Sequence, residues 1–320
     1  MTTTLYTRLR AELRPPPALH EGSDLPPEPL LQAIWQHQRL RRHTLRTVGG
    51  HPLFILHPGF LNREPGPDFR HAVIQLGADT PQQGDVEVDL EPHGWQRHGH
   101  HNNPDYRRVV LHVVWKAGAG TPPPHDLPLL ELQSALDSPL ATLAAWLDRD
   151  PSPSLPEALR GRCSGPLAGL KDEVIERLLN EAALHRLQAR ADQFAARARD
   201  AGWTQALWEG LFRALGYKHN SWPMQCLAER RERWQTPGAP TNIMLARLLG
   251  LSGLLPADWP RPGGARPGHV RELWDAWWRD RDALADCTLP GHIWHLAGIR
   301  PANHPQRRLA LAAVWAQRGD

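Results

Sequence analysis

Three short apolar runs between residues 69 and 115 constrain the fold more than any other feature of the chain. Residues 69–76, 85–90 and 108–115 are rich in Val, Ile and Leu and are separated by loop residues. Runs of this length and composition predict β-strands. The third carries four valines and one leucine, and this enrichment in β-branched residues predicts a central strand.

The segments before these runs predict a helix and a hairpin. Residues 27–42 begin with prolines and place apolar side chains at helical spacing, which predicts a helix. Residues 44–48 and 51–56 flank Gly49 and Gly50, a two-residue hairpin signal. The sheet is therefore expected to follow a helix and to begin with a hairpin.

The connection between the second and third runs is less regular. Gly99 and Pro104 interrupt residues 95–106, which are expected to form a short irregular helix or a loop. Residues 127–132 predict one more strand after a proline-rich spacer. The predicted order is helix, hairpin, two strands, crossover, central strand and a last short strand.

Beyond about residue 136 the pattern becomes helical. Residues 174–198 predict a long amphipathic helix whose apolar side includes Leu178, Leu179, Leu184, Leu187 and Phe194. Shorter helices are predicted over residues 204–215, 222–234, 241–249, 269–279 and 307–318. Six tryptophans in these helices are expected to pack in a core: Trp203, Trp208, Trp234, Trp274, Trp277 and Trp278. The predicted division is an α/β core at residues 21–135 and a helical domain at residues 136–320.

Acidic residues at the ends of the predicted strands are typical of a divalent-metal site. Glu87 and Asp89 are two residues apart in a strand, so both side chains project from one face. Asp68 opens the preceding strand and is expected to meet them there. Carboxylate oxygens are the ligands that suit Mg²⁺ or Mn²⁺.

A histidine cluster offers a different metal site. His93, His98, His100 and His101, together with Asp105, supply nitrogen and oxygen ligands that suit Zn²⁺. No His-Glu-x-x-His helix or cysteine pair accompanies them, and histidine-rich loops are often only solvated. A zinc site therefore stays an alternative. His112, inside the apolar central run, is expected to be a hydrogen-bonded core histidine.

The basic residues of the chain are almost all arginines. The formal net charge is +3 and the pI about 9.0, and the only lysines are Lys116, Lys171 and Lys218. Arginine makes forked contacts to phosphate that lysine cannot make. A GC-rich genome gives the same bias, however, so charge alone does not establish a nucleic-acid partner.

Cysteine spacing and hydropathy exclude several classes of protein. Cys163, Cys226 and Cys287 are odd in number and widely spaced, which argues against a disulfide framework or a cysteine zinc site. No apolar run approaches membrane-spanning length, and the first residues lack the apolar core of a secretion signal. The expectation is a cytoplasmic protein without a membrane partner.

Motifs throughout the chain resemble the bacterial family called domain of unknown function 2851. In the first half they are residues 62–69, 72–74, 84–87 and 98–100, with Trp95, Tyr106 and residues 110–114. In the second half they are residues 215–217 with Asn220, residues 249–256 and residues 300–309. The resemblance covers roughly residues 25–318, and the family supplies no settled activity.

The first half is also similar to the PD-(D/E)XK nuclease superfamily, whose core runs helix, three strands, helix, strand. Pro67-Asp68 opens one predicted strand and Glu87-Val88-Asp89 lies on the next. The similarity implies an α/β fold with a nuclease-like mixed sheet, followed here by an all-helical domain. It also implies Mg²⁺ or Mn²⁺ held by Asp68, Glu87 and the carbonyl of Val88, with Glu28 as an accessory acid.

Asp89 stands where this superfamily usually has a lysine that activates water. No lysine precedes Lys116, so Asp89 would bind a second metal or accept a proton, and Lys116 or Arg70 would be a displaced substitute. Loss of the lysine also marks members that bind without cutting.

The similarity to the nuclease superfamily predicts a metal-dependent nuclease acting on DNA or RNA. Asp68, Glu87, Asp89, His98 and His100 are the expected catalytic residues. Phosphate contacts are expected from Arg70, Arg97, Arg107 and Arg108. The alternatives are a non-catalytic nucleic-acid or protein-interaction module on the same core, and a zinc-dependent hydrolase using the histidines.

Overall fold

A computed structural model describes residues 4–13, 25–118, 126–147, 167, 169–256 and 268–318. Six strands form one sheet: β1 (Leu53–His57), β2 (Phe60–Leu61), β3 (Phe69–Leu76), β4 (Gln82–Asp89), β5 (Val109–Val114) and β6 (Leu129–Glu131). Four helices lie before, between and after the strands: α1 (Leu5–Leu13), α2 (Glu28–His37), α3 (Gly94–Arg97) and α4 (Leu140–Leu147). The remaining described helices follow: α5 (Asp172–Ala201), α6 (Trp203–Leu215), α7 (Ser221–Glu229), α8 (Arg231–Trp234), α9 (Thr241–Leu251), α10 (Gly268–Asp280) and α11 (Pro305–Gln317).

The sheet is mixed, with the order β1-β3-β4-β5-β6. β1, β3 and β4 pair antiparallel, β4, β5 and β6 pair parallel, and β2 pairs antiparallel with the start of β3. The parallel step from β4 to β5 requires a crossover, which α3 and two 3₁₀ turns provide. The register places Glu87 beside His112 and Asp89 beside Val114.

Strand alternation separates the two faces of β4. Val86 and Val88 point into the core that α2 and α4 form with one face of the sheet. Because side chains alternate along a strand, Asp85, Glu87 and Asp89 point to the opposite face, where α3 lies. All three acids are nevertheless buried. The polar face of this central strand therefore lies beneath the crossover.

A second core holds the C-terminal helices together. It contains Trp208, Phe212, Trp234 and many aliphatic side chains, and Leu56 and Val73 of the sheet belong to it. The mixed sheet and the helical C-terminal region confirm the predicted α/β class with a following helical part, while the nuclease-like character of the sheet stays a prediction. The domain boundary near residue 136 stays a prediction, and Leu143 of α4 packs in the sheet core.

The predicted hairpin at Gly49 and Gly50 is confirmed as a turn with a short pairing, but residues 44–48 do not form a full strand. Residues Arg42–Thr44 form a 3₁₀ turn, and a single antiparallel bridge joins Arg46 to Pro52. The Thr47 N–H donates to the His51 carbonyl, and the Leu53 N–H donates to the Leu45 carbonyl. The ladder ends there because Val48 donates to Leu129 instead.

The apolar side predicted for the long helix is also wrong in part. Leu178 is buried, but Leu179, Leu184, Leu187 and Phe194 are exposed, and the other buried residues of α5 are Ala189, Ala196 and Ala198. A Cβ at Gly210 of α6 would lie 2.3 Å from the Phe194 ring, so glycine at this position lets α6 approach α5 closely. The buried side of α5 consists of one leucine and three alanines rather than the predicted series of large apolar side chains.

The predicted tryptophan core holds for some members only. Trp208 and Trp234 are buried, Trp274 and Trp277 are partly exposed, and Trp203 and Trp278 are exposed, so packing of those last two in the core is contradicted. Trp278 instead stacks on Trp274 with 4.6 Å between ring centroids. Both rings lie near the surface of α10.

The structure also bears on the predicted strand at residues 69–76, the predicted helix at residues 222–234 and the cysteines. The strand over residues 69–76 is confirmed, and the helix predicted over residues 222–234 is two helices that meet at Arg230. Cys226 and Cys287 are buried and free, whereas Cys163 lies outside the described residues. Within the described ranges, every helix is too short or too polar to cross a bilayer.

Candidate metal centre

Three side chains converge beneath the crossover between β4 and β5. One ligand atom from each of Asp89, His98 and His100 lies within 4.8 Å of the others. Asp89 ends β4, and both histidines follow α3. A Cβ at Gly94, in the first turn of α3, would lie 2.6 Å from Asp89 Oδ1. Glycine at this position therefore allows the crossover to approach the carboxylate closely.

His112 orients the Asp89 carboxylate. Its Nε2 lies 2.9 Å from Asp89 Oδ2, and the ring is completely buried in β5. The other oxygen, Oδ1, lies 3.4 Å from Nδ1 of the half-exposed His98. The expected hydrogen-bonded core histidine at 112 is confirmed, and its partner belongs to the candidate site. Such an outer partner fixes the orientation of a metal ligand.

His100 presents a buried nitrogen to the neighbouring carboxylate. Its ring stacks on Tyr106, with 3.9 Å between centroids, and meets the Trp95 ring edge-on. Nε2 lies 3.1 Å from Glu87 Oε1, which is ion-pair distance. The geometry does not make a hydrogen bond, so this buried nitrogen lacks one among the described residues. A buried nitrogen without a protein hydrogen bond is compatible with the role of a metal ligand.

Asp68 and Glu87 hold each other through the backbone. The Asp68 N–H donates to Glu87 Oε2 at 3.1 Å, and the Val88 N–H donates to Asp68 Oδ2 at 3.0 Å. Gln32 of α2 donates from its side chain to Asp68 Oδ1 at 2.9 Å and to Glu28 Oε1 at 3.3 Å. These contacts place Asp68 and Glu28 near Asp89, His98 and His100. Neither residue belongs to the group whose ligand atoms all lie within 4.8 Å of one another.

The electrostatics of this cluster favour a cation. Burial, followed by the negative charge of Glu87, raises the pKa of Asp68. Burial and the charge of Asp89 likewise raise the pKa of Glu87 and, less strongly, that of Glu28. Burial lowers the pKa of His100. A bound divalent ion would stabilise the ionised form of these carboxylates, which burial disfavours, and would accept the neutral imidazole of His100 as a ligand.

The predicted histidines divide into two groups. His98 and His100 join Asp89, while His93 and His101 are exposed, and the His101 ring contacts the Asn102 side chain at 2.9 Å. Asp105 is exposed within a 3₁₀ turn. Only part of the histidine cluster therefore faces the strand acids.

The four predicted phosphate-contacting arginines lie near the surface. Arg97 pairs with Glu91 at 3.7 Å, and Arg70 donates to the Pro65 carbonyl at 3.1 Å. Arg107 and Arg108 are exposed just before β5. The role of these arginines stays a prediction.

Gln32 is the contact residue that sequence reasoning missed. It follows Glu28 by four residues on α2, so both side chains lie on one helix face. That spacing was the available signal, because it brings an amide next to a predicted accessory acid. Trp95 and Tyr106 carry part of the family resemblance but were not assigned to the site; here they frame His100.

The family comparison covers most of the chain. The family model described as "Protein of unknown function (DUF2851)" matches residues 28–320. No curated protein and no solved structure matches the chain. The match includes both the sheet with its candidate metal centre and the helical region.

Proposed function

The chain belongs to the DUF2851 family of proteins of unknown function, and we propose that it is a metal-dependent nuclease. One observation carries the proposal: Asp89, His98 and His100 present ligand atoms within 4.8 Å of one another, beside the mutually bonded Asp68 and Glu87. Nitrogen and oxygen donors in one cluster, two of them buried and His98 half-exposed, are the ligands of a hydrolytic metal centre.

The order of the elements supports the nuclease class. α2 precedes an antiparallel β1, β3 and β4, and a crossover leads to β5, which is parallel to β4. This order resembles the helix, three strands, helix, strand core of the PD-(D/E)XK superfamily. Asp68 lies just before the second of these strands and Glu87 in the third, as the similarity implies. Neither solved structures nor curated proteins add to this support.

The cluster offers a division of roles. When bound, the ion would lower the pKa of a coordinated water and polarise the scissile phosphate. Glu87, beside His100, is placed to accept the proton of the attacking water. Gln32 and the Val88 N–H fix the Asp68 side chain. The Asp68 N–H in turn orients the Glu87 carboxylate. Arg107 and Arg108 are the exposed groups closest in sequence to Tyr106 that would bind the phosphate backbone.

The donor set also bears on the identity of the metal. Mg²⁺ prefers oxygen ligands and retains several waters. Two imidazoles and a carboxylate suit Mn²⁺ or Zn²⁺ better. The ion proposed here is therefore one of these two, with Mn²⁺ matching the neighbouring carboxylates of Glu87 and Asp68.

The experiment compares two double variants from one segment. His98→Ala/His100→Ala removes two ligands, whereas His93→Ala/His101→Ala removes two exposed histidines nearby. Metal content is measured by mass spectrometry after dialysis against Mn²⁺ or Zn²⁺. Cleavage is measured on single-stranded and duplex DNA and RNA. The first variant is expected to lose stoichiometric metal and cleavage, while the second retains both.

Two outcomes would contradict the proposal. Equal metal content in both double variants would show that His98 and His100 are not metal ligands. A parent protein that binds the ion but leaves every nucleic acid intact would exclude the nuclease activity. Circular dichroism of each variant verifies that the fold is preserved.

A second candidate, a zinc-dependent hydrolase with another substrate, is favoured by the two imidazoles among the three grouped ligands. Zinc in the parent protein that disappears in His98→Ala/His100→Ala, together with hydrolysis of an ester or amide panel but not of nucleic acid, would select this candidate. The substrate that the parent protein hydrolyses thus decides between the two functions.

A further inference from the structure

A second pocket, of about 470 Å³, lies where the edge of the sheet meets the helical region. It is lined by the end of α2, the β2 segment, His71, Gln83 and residues 292–295. Its ionisable lining groups are six histidines, Lys218 and Arg213, and no Asp or Glu among the described residues lines it. This surface is named the histidine pocket below.

The basic character of this pocket is not a general property of the molecule. A larger pocket of about 580 Å³, between α2, α5, α6 and α7, is lined by equal numbers of basic and acidic groups: Arg42, Arg190, Arg197 and Arg213 with Asp137, Asp200, Glu209 and Glu229. Its charges largely neutralise one another. No Asp or Glu among the described residues lines the histidine pocket, and this difference in lining favours an anionic ligand.

Arg213 borders both pockets and carries a poorly compensated charge. Its Nη1 donates to the neutral amide oxygen of Gln225 at 3.1 Å, and its guanidinium lies 4.4 Å from the centroid of the Trp222 ring. Burial, together with the positive charges of Arg42 and Arg190, lowers its pKa to about 10. Arg213 is partly exposed, and a partly buried cation near other cations is stabilised by an incoming anion.

The histidines can donate hydrogen bonds even when neutral. His57 Nδ1 accepts a bond from the Gly59 N–H at 3.0 Å, so the neutral ring carries its proton on Nε2. The carboxylate of Asp85 is already engaged, because it accepts a bond from the backbone N–H of His71 at 3.1 Å. The pocket therefore combines N–H donors with the positive charges of Lys218 and Arg213.

We propose that the histidine pocket binds one nucleotide unit of the nucleic-acid strand that the metal centre cleaves, gripping its phosphate with Lys218, Arg213 and the imidazoles. The proposal rests on the proposed nuclease function. The exposed ring of Phe60 on β2, tilted 4.9 Å from the His57 ring, offers a face for the base. Stacking on aromatic rings and basic groups along the backbone are the usual elements of single-strand binding.

Two elements lead from the metal centre to the pocket. On α2, Gln32 contacts Asp68 and Gln36, one turn later, lines the pocket, a step of about 6 Å along the helix. On β4, Gln83 lines the pocket four residues before Glu87, a step of about 14 Å along the strand. A strand that rises about 3.4 Å per nucleotide would span these distances with two to four nucleotides.

The test uses adenosine 5′-monophosphate and the full-length protein in EDTA, where metal-dependent cleavage cannot contribute. Affinity is measured by isothermal titration calorimetry for the parent, Lys218→Glu and Lys171→Glu. Both lysines are exposed and both changes alter net charge equally, but Lys171 precedes α5, away from the pocket. Lys218→Glu is expected to weaken binding about tenfold or more, since it removes a charged hydrogen-bond donor to the phosphate and introduces a carboxylate that repels it. Lys171→Glu is expected to bind as the parent does.

The outcomes of these measurements distinguish a failure of the nucleotide pocket from a failure of the nuclease proposal. Absence of binding by the parent, equal affinities for Lys218→Glu and the parent, or equal affinities for adenosine and its monophosphate would each overturn the nucleotide pocket. Asp89→Ala is expected to keep full nucleotide affinity in EDTA while losing cleavage. Parent protein that binds the nucleotide through Lys218 but cleaves no nucleic acid would refute the nuclease function alone.

Discussion

Two buried clusters of carboxylates in this protein are stabilised in opposite ways. Glu229 of α7 accepts from Arg42 at 2.6 and 3.2 Å, and Arg42 also reaches the Ile55 carbonyl of the sheet. Arg42 more than offsets the burial of Glu229, whose pKa is lowered. Asp68 and Glu87 instead meet amides and imidazoles, and their pKa values are raised.

The contrast separates a structural ion pair from a group of acids that is suited to binding an ion. The Arg42 and Glu229 pair is complete and joins the sheet to the helical region. The acids of β3 and β4 lack an equivalent cation in contact among the described residues, so the folded protein carries electrostatic strain there. Such uncompensated charge is typical of sites that bind an ion.

The largest expected effect is on the compensated cluster. Arg42→Met leaves Glu229 buried without its cation and should lower the free energy of unfolding by about 3–5 kcal/mol. The matched control is Arg233→Met, which breaks an exposed pair with Asp286 and should cost less than about 1 kcal/mol. Urea unfolding measures both. Similar losses of unfolding free energy in the two variants would contradict the claim that the Arg42 and Glu229 pair stabilises the fold more than an exposed ion pair does.

A smaller effect should come from filling the uncompensated cluster. An ion that binds only the folded state at a free concentration 100 times its dissociation constant stabilises by about 2.7 kcal/mol. Mn²⁺ or Zn²⁺ should therefore raise the unfolding temperature of the parent, and chelation should reverse the rise. Asp89→Asn should lose the response. A response of undiminished size in this variant would place the ion elsewhere.

The smallest expected effect is on the free energy of unfolding of two Glu→Gln variants, which should change in opposite directions. Glu87→Gln removes a charge that burial and Asp89 disfavour, so the metal-free protein should gain about 1 kcal/mol near neutral pH, a value of the order of one pKa unit. Glu229→Gln should instead lose stability, because it leaves Arg42 without a carboxylate. Losses in both variants would contradict the contrast between the clusters.

The pH dependence of the parent and Glu87→Gln provides a second check. The folded-state pKa of Glu87 lies above its ordinary value of 4.5, so the folded state binds more protons in this range. The stability contributed by Glu87 is fully present below pH 4.5 and is lost as the pH rises through the folded-state pKa. The metal-free parent should therefore lose stability over this interval more steeply than Glu87→Gln. Equal slopes would indicate a normal pKa.

Local pattern predicted most of the sheet. The β-branched runs at residues 69–76 and 109–114 form strands because side-chain alternation and burial on both faces agree there. The segment at residues 44–48 pairs with residues 51–53 through one bridge only, because Val48 donates to Leu129 rather than continuing the hairpin. On α5 the pattern marked leucines as the buried side, whereas alanines occupy most of its buried positions.

Strand periodicity is a local property, so the order of residues is enough to place Glu87 and Asp89 on one face and histidines about a dozen residues later. Which of these groups meet depends on how distant segments pack. The parallel pairing of β4 and β5 puts His112 against Asp89, and the turn after α3 selects His98 and His100 over His93 and His101. Those choices depend on register and crossover path, which join residues distant in the chain and are fixed only when the sheet packs.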